Sequence, residues 1–78
     1  MTTHSTASAV LTSGTGRDLS PRERQVLAHI AGGYTHHQTS RRLSISRSSV
    51  ETYLQRIRIK LGAPTRAHLI RAAVGLGL

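Results

Sequence analysis

Ser46-Arg47-Ser48-Ser49-Val50-Glu51-Thr52-Tyr53-Leu54-Gln55-Arg56-Ile57-Arg58-Ile59-Lys60-Leu61, followed by Gly62, decides the fold of this chain. Val50, Leu54, Ile57 and Leu61 recur at i, i+4, i+7 and i+11 and make one apolar stripe, which Tyr53 widens. The other faces carry Arg47, Glu51, Thr52, Gln55, Arg56, Arg58 and Lys60. Ser46 suits an N-cap, because its hydroxyl can accept from the open N–H groups of a first turn. Gly62 can take the left-handed conformation that ends a helix. The stretch is therefore one helix of about four turns, apolar on one side and basic-polar on the other.

Upstream, Thr35 with Gln38 three residues on is a capping box for a short helix, about His36 to Leu43. Thr39 and Ser40 stand where core residues are expected, and only Leu43 is clearly apolar. Ser44-Ile45 makes a tight turn into Ser46, with Ile45 as its apolar plug. A short helix, a tight turn and a longer basic helix form a helix-turn-helix unit, whose second helix enters a major groove. Further upstream, Ser20-Pro21-Arg22-Glu23 starts another helix, with Ser20 as N-cap, Pro21 in the first position and Glu23 reaching back to the cap. Val26, Leu27 and Ile30 face inward, and Gly32-Gly33 stops this helix at Ala31.

Downstream, Ala63-Pro64 ends the basic helix and Thr65 caps a fourth, about Arg66 to Val74. Leu69, Ile70 and Ala73 face inward; Ala67, Arg71 and Val74 form a small-residue face. Gly75 and Gly77 are expected to end the helix, and Leu76 and Leu78 to fold back onto the core. The fold class is all-α, four helices over residues 18–78. Residues 1–17 read as a disordered tail of Thr, Ser, Ala and Gly, in which only Val10 and Leu11 offer a docking contact.

The chain has 78 residues and no cysteine, which excludes disulfides and thiolate zinc sites. Eleven Lys and Arg against three Asp and Glu give a net charge of +8, and every one of these charges lies at or after Arg17. Such an excess points to a polyanion, nucleic acid before an anionic membrane. No apolar run approaches the roughly 18 residues of a membrane span, and no secretion signal is evident, so a cytoplasmic protein is expected.

At this point the chain resembles the LuxR/FixJ-type (GerE-like) helix-turn-helix domain of bacterial regulators. The resemblance rests on Leu19-Ser20-Pro21-Arg22-Glu23-Arg24-Gln25-Val26-Leu27, Ala31-Gly32-Gly33-Tyr34-Thr35, Leu43-Ser44-Ile45-Ser46 with Ser49-Val50, Ile57 with Lys60-Leu61-Gly62, Arg66, and the closing Gly77-Leu78. It implies a four-helix domain that binds double-stranded DNA, often as a dimer through the fourth helix, and regulates transcription, here as a free-standing module. The chain departs from the family pattern at Thr39 and Ser40 (for Ile and Ala), at His36 (for Asn), at Tyr53 (for His) and at Glu51 (for Lys).

Arg47, Ser48, Glu51, Thr52, Gln55 and Arg56 lie on the outer face of the first turns, where base edges are touched. Glu51 suits a cytosine amino group, Gln55 adenine, the Thr52 methyl a thymine methyl, and Arg47 or Arg56 a guanine or a phosphate. Glu51 also repels phosphates, which lowers non-specific affinity; the competing assignment is a surface pair with Arg47 or Gln55. Thr35, His36, Arg41, Arg42, Ser46, Arg58 and Lys60 are the expected phosphate contacts, with Arg22, Arg24 and Arg66 as further candidates. Ala67, Arg71 and Val74 are expected to pair across a two-fold axis.

Enzymatic function is not expected: three carboxylates exist and each has a local explanation. No cofactor or metal is expected either, because the adjacent His36 and His37 diverge by about 100° on a helix. Two functions stay open. One is a sequence-specific regulator, a homodimer on DNA. The other is a module of the same fold that pairs with a related regulator or RNA polymerase and binds DNA weakly or not at all.

Overall fold

The computed structural model describes residues 19–78. The expected tail, with Val10 and Leu11, lies outside them. Four helices follow one another: α1 Pro21–Ala31, α2 His36–Leu43, α3 Arg47–Leu61 and α4 Arg66–Gly75. Among the described residues there is no strand, and no helix is long and apolar enough to cross a membrane.

Each helix begins where its cap dictates. The Ser20 hydroxyl accepts from the Glu23 N–H at 3.1 Å, and the Glu23 carboxylate accepts from the Ser20 N–H at 2.8 Å. Thr35 and Gln38 repeat the exchange at 3.0 and 2.9 Å. Ser46 accepts from the Ser49 N–H at 3.0 Å and Thr65 from the His68 N–H at 3.2 Å. These bonds satisfy donors that have no partner inside the helix.

The ends of α2 and α3 share one device. Ser44 and Gly62 both sit left-handed, at φ 58° and 61°. The next residue in each case donates back over the last turn, Ile45 to the Ser40 carbonyl and Ala63 to the Arg58 carbonyl, both at 3.0 Å. Glycine takes this conformation freely; serine takes it at a cost. The end of α4 lies one residue beyond the expected Val74. Gly75 is its last helical residue, and Gly77, at φ 77°, makes the left-handed turn. Leu78 N–H then bonds the Ala73 carbonyl at 2.9 Å and brings Leu76 and Leu78 onto the core.

The core is Leu19, Val26, Leu27, Ile30, Val50, Leu54, Ile57, Ala63, Leu69 and Ala73. It lies between α1, α3 and α4, while α2 packs chiefly on α3. Tyr53, Ile45 and Leu43 close its edges. In α2 the two polar core positions are both buried. Ser40 donates its hydroxyl to the His37 carbonyl at 2.7 Å, whereas the Thr39 hydroxyl is buried without a partner.

Candidate nucleic-acid interface

Burial of Val50, Leu54 and Ile57 fixes the rotation of α3. The opposite side is left exposed, with Arg47, Ser48, Glu51, Thr52, Gln55, Arg56, Arg58 and Ile59 on it. Helical spacing puts Ser48, Thr52, Gln55 and Ile59 in one outward line. At its head, the Ser46 hydroxyl holds those of Ser48 and Ser49 at 3.0 and 2.9 Å. The structure therefore brings all six expected base-contact residues to one surface.

Cations flank this line. Arg41 and Arg42 are exposed at the end of α2, and Arg58 on α3. The Arg42 guanidinium lies 4.5 Å over the Tyr34 ring, which in turn meets His29 at 5.4 Å between centroids. That stacking limits the directions Arg42 can take. Arg56 sits 5.9 Å over Tyr53. The Thr35 and Ser46 hydroxyls act as helix caps; Thr35 keeps a hydrogen with which to donate, whereas Ser46 gives its own to Ser49 Oγ at 2.9 Å.

Lys60 departs from the phosphate role expected of it. It lies on the side of α3 that faces α1, and its ammonium donates to Glu23 Oε1 at 2.8 Å. Glu23 is buried. Burial pushes its pKa up, but the bonds and charge from Lys60 and the Ser20 cap outweigh this and hold it below the ordinary carboxylate value. Glu23 is thus both the capping residue expected and an anchor for the far end of α3.

Glu51 stands on the expected outer face, but its neighbour differs from the competing assignment. It pairs with neither Arg47 nor Gln55; its carboxylate lies 3.9 Å from Nδ1 of His36 on α2. With Leu54, Gln55, Arg58 and Ile59 the two line a shallow hollow between α2 and α3. His37 is exposed on another face, and among the described residues no three His, Cys, Asp or Glu side chains gather as a metal would need.

On α4, Ala67, Arg71 and Val74 are all exposed. Val74, at 70% exposure, is no core residue. Among the described residues the only other large apolar side chain so exposed is Ile59, at 75%. Sequence reasoning passed over Ile59 and Tyr34. The signal for Ile59 is an apolar residue out of register with the stripe of α3; the contacts of Tyr34 leave no such mark.

The comparisons agree on one kinship. Residues 17–73 match the family model described as "Bacterial regulatory proteins, luxR family". The chain is 37% identical over 60 residues to the transcriptional regulatory protein MctR of Rhizobium johnstonii, a match covering 77% of this chain and 28% of that protein. It is 40% identical over 60 residues to the quorum sensing-dependent transcriptional regulator VjbR of Brucella ovis, covering 77% and 23%. It is 39% identical over 59 residues to the transcriptional activator RamA of Corynebacterium glutamicum, covering 76% and 21%. The chain thus spans about a quarter of the length of these relatives. No solved structure matches it significantly.

Proposed function

This chain belongs to the luxR family of bacterial regulatory proteins, and from that premise we propose that it is a sequence-specific DNA-binding regulator of transcription, acting in the cytoplasm. The observation that carries this reading is the outward line of α3. Ser48, Thr52 and Gln55 are exposed in register, with Arg41, Arg42, Arg47, Arg56 and Arg58 around them. A helix this polar, rotated so that its readers face water and its cations flank them, fits a major groove. Arg41, Arg42, Arg47 and Arg58 meet phosphates in this reading, and Thr35, His36 and Ser46 assist. Lys60, engaged with Glu23, lies outside the set.

Two copies pair through α4 in the same reading. Ala67 and Val74 supply the apolar contact and let two helices approach closely, with Arg71 at the rim in water. Neither Glu23 nor Glu51 lies on α4, so the pairing has no ion pair to offer Arg71 among the described residues. The pairing sets two copies on adjacent half-sites of the duplex.

A titration of duplex DNA against salt tests this. Four phosphates neutralised per domain give a slope of log affinity on log salt of about −4. Arg41→Ala then lowers the slope by about 1 and leaves the preferred sequence unchanged. Absence of binding even at low salt would favour the second reading, a module that pairs with a related regulator or RNA polymerase. Exposed Val74 and Ile59 are what support it.

A further inference from the structure

Resting on that reading, we propose that His36 is a positioning residue of the recognition face, holding the Glu51 carboxylate beside α2 when the imidazole is protonated and releasing it toward the DNA backbone when it is not. Glu51 is the only carboxylate on the outer face of α3, and Glu23, the other one among the described residues, is bound to Lys60 on the opposite side. The 3.9 Å between Nδ1 and Oε2 is an ion-pair distance for a charged ring and too long for a hydrogen bond from a neutral one. Both groups are reachable by water and by DNA, with side-chain exposures of 33% for His36 and 58% for Glu51.

The charged groups that bear on the pair come from two helices. The hollow the two share is lined by His36 of α2 and by Glu51, Leu54, Gln55, Arg58 and Ile59 of α3, with nothing from α1 or α4. Arg58 is its one permanent cation. On α2 itself His37 and Arg41 are exposed. With a neutral imidazole, the carboxylate is free to swing outward and oppose phosphates. Imidazole is the side chain whose ordinary titration falls between about pH 5 and pH 8. Once charged, it gives the carboxylate a partner on the α2 side, and the phosphates then meet Arg47, Arg58 and His36 without the opposing charge. Affinity for DNA therefore rises once the imidazole is charged. By reciprocity, DNA promotes protonation of His36.

The test is a fluorescence-anisotropy titration of the full chain with one short duplex of mixed sequence, at fixed ionic strength, between about pH 5.5 and pH 8. Wild type, His36→Gln, Glu51→Gln and the double variant are compared, with His36→Asn as a second neutral replacement. The other histidines are the same in every variant, so the quantity read is the excess in wild type. That excess is expected to be about three- to tenfold tighter binding at the acid end. Positioning also predicts coupling. At about pH 8, Glu51→Gln tightens binding by one factor, whether or not His36 is present; at about pH 5.5 it helps the His36→Gln protein more than the protein that keeps His36. Equal pH slopes in wild type and both His36 variants would overturn the inference. So would effects that simply multiply at every pH, the mark of an imidazole that adds charge and positions nothing. No binding by any variant at any pH would overturn the inference together with the reading beneath it.

Discussion

The two sides of α3 use the same chemistry to different ends. Toward α1, a buried carboxylate and an ammonium meet at 2.8 Å, with a helix cap completing the bonds. Toward α2, an exposed carboxylate stands 3.9 Å from a half-buried imidazole. An ion pair whose carboxylate is buried ties elements together, because separating it strands that charge away from water. One left open costs little to break and can exchange partners with a ligand. The fold leans on the first side of α3 and the second is free to meet DNA.

That contrast breaks most sharply at Glu23. Glu23→Ala removes a cap and the buried carboxylate that Lys60 bonds across to α1, at a cost of about 2 kcal/mol. Urea unfolding followed by circular dichroism measures it; the equivalent Glu51→Ala is expected to cost less than about 0.5 kcal/mol. Acid sharpens the same point. The Glu23 pKa is depressed in the folded chain, so its contribution is complete above the unfolded carboxylate value and is lost as pH falls through the folded one. Melting temperature should therefore decline below about pH 4.3, and Glu23→Gln should flatten that decline. An unchanged acid limb would remove Glu23 from the account.

A smaller effect is expected at Thr39 of α2, the helix with the weakest hold on the core. Its hydroxyl is buried and unpartnered. Thr39→Val keeps the shape and removes the unmet group, so it should stabilise the chain by about 1 kcal/mol. Unfolding at matched denaturant measures it, and a loss of stability would mean that the hydroxyl has work to do.

What was legible in the sequence is what is local. Ser20 with Glu23, Thr35 with Gln38 and Gly62 after the stripe each mark a boundary within a few residues, and α1, α2 and α3 begin and end there. α4 runs one residue past the expected Val74, and of the two glycines expected to end it Gly77 makes the left-handed turn. The partners of Lys60 and Glu51 were not legible. Each lies on another helix, 37 residues away in the case of Lys60 and Glu23. Periodicity gives the face of a helix but not its neighbour. The exposed line of α3 followed directly from the stripe it opposes, so the candidate readers were found where the partners were not.

The central claim is that this line reads base sequence. Selection from a random duplex pool at about 150 mM salt, where non-specific binding is weak, tests it most directly. Wild type should enrich an inverted repeat with half-sites about one helical turn apart. Gln55→Ala should enrich the same repeat with one position relaxed, by about 1–3 kcal/mol at that base pair. Enrichment of no motif by wild type, or of an identical motif by Gln55→Ala, would contradict it.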